Sequence, residues 1–140
     1  MNGTFLNNAF SAEEQAQILS TKVSADKNPK LSTNPGNATT DKVFLLSINE
    51  AEKYFTNYEA RKCAPTAYAI AQGAGTSDLY KTSSGVATCR WWLRSPGNTR
   101  GNTQVNAAFV FTDGSGPFYG EWVDVDYVCV RPAMWINLGD

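Results

Sequence analysis

The chain contains no histidine. That absence removes any imidazole-bearing metal site and the usual base for a serine or cysteine nucleophile. Charged residues make up only 18% of the 140 residues, and the net charge is -1 with no cluster of Lys and Arg. Binding driven by the nucleic-acid backbone needs a basic face, and the sequence offers none. No apolar run approaches the roughly 18 residues of a membrane-spanning helix, so no membrane insertion is expected. The N-terminus, MNGTFLNNAF, lacks the charged and apolar regions of a signal peptide. It reads as the start of a domain trimmed from a longer protein, with any export signal outside the chain. Cysteine is scarce: Cys63, Cys89 and Cys129. An odd number leaves at least one free thiol or an intermolecular bond, three pairings stay open, and the spacing fits no zinc pattern.

What is present is a globular composition with 42% apolar residues. Its length suits one domain, 1–140, able to bury a core without staples. Asn, Thr and Ser carry much of the solubility, which suits a secreted or surface-displayed domain.

Ser11-Ala12-Glu13-Glu14 and Ser47-Ile48-Asn49-Glu50 are capping boxes. The first predicts a helix over 12–21, and the second a short helix through Ala51, Tyr54 and Phe55. Residues 26–41 read as a polar irregular loop, 42–46 as a buried strand, 65–71 as a third short helix ending at Gly73, and 73–85 as a flexible connector. From Arg90 the texture changes to short strands: 90–94, 105–112, 121–123, 127–131 and 134–137, with a hairpin signal at Asp113-Gly114. The fold class is α+β: two or three helices in the N-terminal half, packed on a twisted antiparallel sheet from the C-terminal half.

The strings CRWWLRSPG, NAAFVFTDGS and VDVDYVCVRPAMWINL, with NGTFLNNAFSAEEQAQI, TDKVFLLSINEAEKYF and ARKCAPTAYAIAQG before them, carry a resemblance that covers essentially the whole chain. It resembles a bacterial domain family of unknown function with a WWLRSPG…VRPALWI pattern, common in gut Gram-positive bacteria and their phages. That family looks like part of the C-type-lectin-like superfamily, beside formylglycine-generating enzymes and the variable proteins of diversity-generating retroelements. The resemblance implies a C-type-lectin-like fold, a ligand surface on loops of the C-terminal half, and display on a bacterial or phage surface as part of a larger protein. The sequence departs from the family pattern where Cys129 precedes Val130-Arg131-Pro132.

Trp91, Trp92 and Trp135 offer an aromatic platform for sugars, but alternation along a strand sends Trp91 and Trp92 to opposite faces, and a structural role in the core accounts better for most of the set. Arg94 and Arg131 read as structural pins, each donating to buried carbonyls or carboxylates, rather than as an anion site. Two less regular runs are harder to dismiss. Residues 98–106 and 117–127 mix large aromatics with adaptable polar groups, the composition of paratopes. They also hold the residue types that adenine-directed mutation of AAC-type codons yields. The expected ligand-binding residues are therefore Asn98, Arg100, Asn102, Gln104, Asn106, Phe118, Tyr119, Glu121, Trp122, Asp124, Asp126 and Tyr127.

Asp113 is accounted for by its turn. The signature strings of calcium-dependent lectins are absent, so no metal or other cofactor is expected, although a structural Ca²⁺ in the Asp124/Asp126 loop stays open. A formylglycine-generating enzyme needs a reactive, copper-binding cysteine pair. Cys89 abuts Arg90, which would lower its pKa modestly, yet Cys89 opens a strand and looks like packing or a disulfide. The carboxylates of Glu121, Asp124 and Asp126 on a loop resemble a solvated cluster more than a glycosidase pair. No catalytic residue is assigned. The reading is a module that binds a protein or glycan ligand, with an adhesin-type carbohydrate binder and a formylglycine-generating-type enzyme or degenerate relative as alternatives. The sequence does not name the ligand or the oligomeric state.

Overall fold

Both capping boxes form in the computed structural model, which describes residues 2–100, 103–116 and 119–139. The Glu14 N–H donates to Ser11 Oγ at 3.3 Å while the Ser11 N–H donates to Glu14 Oε2 at 2.8 Å. Ser47 and Glu50 repeat the exchange at 3.2 and 2.9 Å. They start α2 (Ala12–Gln17) and α3 (Ile48–Tyr54), and a further helix, α1 (Asn2–Ala9), precedes them. Two short helices follow, α4 (Tyr58–Arg61) and α5 (Ala67–Ala71), the latter capped by Thr66.

The fold is α+β, with helices confined to the first half. Small antiparallel sheets carry the rest: β1 (Thr21–Val23) with β2 (Thr39–Asp41), β3 (Thr76–Lys81) with β4 (Ala87–Cys89), and the hairpin β6 (Thr99–Arg100) with β7 (Thr103–Gln104). The central sheet has three strands in the order β5 (Trp91–Pro96), β8 (Asn106–Val110), β9 (Glu121–Trp122). Its register pairs Trp91 with Val110, Trp92 with Phe109, and Asn106 with Trp122.

Alternation along β5 decides what is buried. Trp91 and Leu93 face inward against Leu46, Ile48, Ala51, Ala108 and Val110, so α3 closes over the sheet. Trp91 is fully buried, and its indole N–H donates to the Arg61 carbonyl at 3.0 Å, as a buried indole must find an acceptor. Trp92 lies on the opposite, half-buried face, edge-on to Phe109. A second cluster of Leu6, Ile18 and Val43, with Phe10 and Met134 against it, packs α1 and α2 on the C-terminal segment.

Arg94 bonds to both carbonyls and carboxylates. Its Nε donates to the Ser24 carbonyl at 3.1 Å, Nη1 to the Leu45 carbonyl at 3.0 Å and to the Glu50 carboxylate, and Nη2 to Asp26 at 3.1 Å. It therefore joins β5 to α3 and to the loop after β1. Arg131 departs from expectation. Its guanidinium lies over the rings of Phe55 and Trp91, at 4.5 and 4.9 Å, and among the described residues its buried Nη1 has no hydrogen-bond partner. Charge-to-ring attraction holds it instead.

Four further expectations change. The helix from Ser11 stops at Gln17, because the C-terminal segment captures the next backbone: the Leu19 N–H donates to the Trp135 carbonyl and the Asn137 N–H to that of Gln17, both at 2.8 Å. The strands read at 42–46, 127–131 and 134–137 are isolated bridges, Phe44 with Ala133, Trp91 with Cys129, and Ile18 with Ile136. The connector at 73–85 holds the β3 strand and the turn into β4. Trp135 is a half-exposed ring set edge-on to Tyr54 rather than a core filler.

Candidate ligand-binding surface

The two irregular runs meet because β8 has a partner on each side. β5 leads into the first run and β9 lies in the second, so pairing both strands with β8 puts the runs at one end of the sheet. Main-chain bonds complete the join. Gly97 N–H donates to the Asn106 carbonyl at 2.9 Å, Asn98 N–H to the Tyr119 carbonyl at 2.7 Å, and Val123 N–H to the Val105 carbonyl at 3.0 Å. Gly97 and Gly120 make this approach sterically feasible. A Cβ on Gly97 would come within 3.1 Å of Gly120 Cα and 2.9 Å of Asn106 Cβ. Gly120 has φ +75° and a Cβ there would overlap the Ala107 carbonyl.

On this frame Arg100 lies over the Trp122 ring at 5.5 Å. Val105, Val123 and Asp124 complete a shallow hollow of about 290 Å³ around that stack. Tyr119 is 66% and Trp122 48% exposed, so two large amphipathic rings face solvent. Asn98 is exposed beside them, and Asn106 turns its amide to the Tyr119 carbonyl at 3.5 Å while its Oδ1 is buried without a partner among the described residues. An apolar floor bearing one cation and one carboxylate at its rim can take a ligand with a flat apolar face and polar edges.

Not every expected residue belongs here. The Tyr127 hydroxyl donates to Glu121 Oε2 at 2.9 Å, and Arg90 stands 4.0 Å from the same oxygen while lying over Phe109, Phe111 and Tyr127. The hydrogen bond to Glu121 raises the Tyr127 pKa. Glu121 and Tyr127 thus brace the strand that carries Trp122 rather than offering free groups. Asp126 points to a different place, the rim of a mostly apolar groove of about 620 Å³ lined by Phe5, Phe44, Tyr68, Val128 and Pro132 among others. Asn102 and Phe118 lie outside the described residues, and of Gln104 only the backbone, in β7, is described. The sequence reading missed Val105 and Val123 in the hollow. Both sit inside the runs it named, and only their aliphatic character hid them.

Asp113 accepts from the Ser115 N–H at 2.8 Å and its hydroxyl at 2.7 Å, a local turn inside the longer β8–β9 connection. No group of three or more acidic or thiol side chains that could hold a metal ion occurs among the described residues.

The three cysteines are all unpaired, and Cys63 and Cys129 pack on the core cluster around Trp91. Cys89 closes β4 rather than opening a strand, and its N–H donates to the Cys63 carbonyl at 2.8 Å. Cys89 also neighbours Cys129, whose N–H donates to the carbonyl of Arg90, the residue after Cys89, at 2.9 Å. Arg90 does not lower its pKa. The hydrogen bond it gives Cys63, then burial, push it well up. Cys63 moves the other way, to about 6, through that bond and the charge of Arg131, against burial.

The family model described as "Domain of unknown function (DUF6273)" matches residues 1–138 of the chain. No curated protein and no solved structure matches it.

Proposed function

The chain belongs to the DUF6273 domain family, and from that premise we propose that it is a ligand-recognition module whose contact surface is the joined pair of runs around Trp122. The observation that carries the proposal is their convergence: main-chain bonds join two separate runs, with Tyr119 and Trp122 exposed and Arg100 stacked on Trp122. Large aromatics beside adaptable polar groups are the composition of recognition surfaces. The ligand class is a protein or a glycan. The finer reading is a C-type-lectin-like domain of the kind diversified by retroelements, displayed on a bacterial or phage surface. Its support is the division between a pinned frame and side chains that the frame does not need.

The test is capture by the wild type and by Tyr119→Ala/Trp122→Ala on a glycan array and on an array of bacterial surface proteins. Loss of capture with the melting temperature nearly unchanged supports the reading. Undiminished capture by the double variant sinks it, and a large fall in melting temperature would make the two rings core. The array that responds separates glycan from protein. For diversification, the decisive observation is an adjacent reverse-transcriptase gene with a near-copy of the 3′ codons differing only at adenines.

A further inference from the structure

Cys63, Cys89 and Cys129 come from three separate segments, yet main-chain bonds bring them together: the Cys89 N–H donates to the Cys63 carbonyl at 2.8 Å and the Cys129 N–H to that of Arg90 at 2.9 Å. Cys63 and Cys129 are partly accessible, whereas Cys89 is 1% exposed. Beside them stands Arg131, held over Phe55 and Trp91 with Nη1 unpartnered among the described residues. A buried guanidinium nitrogen without a carboxylate favours a nearby anion, and the available anion is a thiolate.

We propose that the cluster is a thiol–disulfide exchange site for low-molecular-weight disulfides, with Cys63 as the entering thiol and Cys89 as the resolving one. This site is independent of the Trp122 surface. The Cys63 thiolate attacks a disulfide R–S–S–R, forming Cys63–S–S–R and releasing R–S⁻. Cys89 then gives its proton to that thiolate or to water, and its sulfur attacks Cys63 Sγ, expelling the second R–S⁻. Two protein thiols and one R–S–S–R become one protein disulfide and two R–SH. The main-chain N–H···O bond of 2.8 Å between Cys89 and Cys63 holds their Cα atoms within about 6.8 Å, the upper end of the span a disulfide bridges. Cys129, on the other flank of Cys89, can then attack Cys89 Sγ and release Cys63 as the departing thiolate, with no change in oxidation state. Both internal disulfides contain Cys89.

The chemistry of the two inner thiols fits the order of events. Cys89 is kept protonated chiefly by its bond to Cys63. Capping Cys63 removes that acceptor charge and frees Cys89 to react. Cys63, with a pKa near 6, is both the most ionised thiol and the best leaving group of the three.

Three measurements on the folded chain test this, with oxidised glutathione as the probe. Between pH 6 and 8 the thiolate fraction of Cys63 should rise only about twofold, against roughly 75-fold for an unperturbed thiol. The initial rate of mixed-disulfide formation should follow the flatter curve. The wild type should release two glutathione thiols per chain, and peptide mapping should find Cys89 in every internal disulfide. Cys89→Ala, verified as folded by its melting curve, should stop after one release with glutathione on Cys63. A rate that tracks free cysteine overturns the proposal. So do a single release from the wild type, a Cys63–Cys129 disulfide, and reaction only after unfolding; these wild-type results stand whether or not the variant folds.

Discussion

Removing the Arg94 side chain should cost the fold about 3 kcal/mol at neutral pH. The guanidinium is 15% exposed and serves two carboxylates, Asp26 and Glu50, each 26% exposed. Breaking such a pair leaves the partners' charges without compensation, typically about 3–5 kcal/mol, and the remaining contact with water argues for the low end. For a chain of this size that lowers the melting temperature by about 10 °C in Arg94→Ala. Arg94→Lys keeps the charge but loses the planar fork that reaches Ser24, Leu45, Asp26 and Glu50 together, and should cost about 1.5 kcal/mol. The pH dependence follows from the same contacts. Partial burial works to raise the Glu50 pKa, but the hydrogen bonds from Arg94 and the Ser47 N–H outweigh it and hold the carboxyl below its ordinary range. Asp26 is lowered likewise, against burial, by hydrogen bonds from Ser24 and Ser47 and by the Arg94 charge. As pH falls, the unfolded chain takes up these protons first. The stabilisation is whole above about pH 5 and is lost as pH falls through the lowered folded values. Denaturant unfolding followed by circular dichroism should therefore show the gap between wild type and Arg94→Ala shrinking towards pH 3. A gap under about 1 kcal/mol at pH 7, or one that does not narrow in acid, refutes the pin.

Two other perturbations separate frame from periphery. Gly120→Ala forces a Cβ into the Ala107 carbonyl at a positive φ, so it should lose about 3 kcal/mol and ligand capture together, whereas Gly116→Ala, with open space around it, should stay within about 0.5 kcal/mol of wild type; thermal melts and the capture arrays read both. Ser47→Ala removes a fully buried cap and should cost about 2 kcal/mol against about 0.5 for the exposed cap variant Ser11→Ala, as measured by chemical denaturation.

Local chemistry was legible where neighbours in sequence are neighbours in space. Both capping boxes, the split of Trp91 and Trp92 between faces, and the Asp113 turn all follow from contacts within a few residues or from strand alternation. What could not be read is what distant segments impose. The α1 segment, NGTFLNNA, carries glycine and asparagines that disfavour helix, and it holds because Leu6 is buried and Gln15 donates to the Leu6 and Phe10 carbonyls. The β3 strand has almost no buried face, so no periodicity announced it. Arg131 was expected to seek oxygen acceptors, but the path of the C-terminal segment delivers it onto two rings instead. Within the candidate surface, Arg100, Trp122 and Asp124 line one hollow, whereas Asp126 and Tyr127, named with them on composition alone, lie elsewhere.

The way the two runs are joined bears on what the surface can tolerate. Among the described residues nearly every bond between them is main chain to main chain: Asn98 to Tyr119, Val123 to Val105, and the ladder of Asn106 with Trp122. The close approach depends on Gly97 and Gly120, which contribute no side chain at all. Side-chain ties to the frame fall instead on Glu121 and Tyr127, through each other and Arg90. Tyr119, Trp122, Val123 and Asp124 therefore stand on a backbone whose register does not depend on them. Replacing them changes the chemistry presented without changing where it is presented. That is the physical requirement for a surface whose specificity can be rewritten residue by residue.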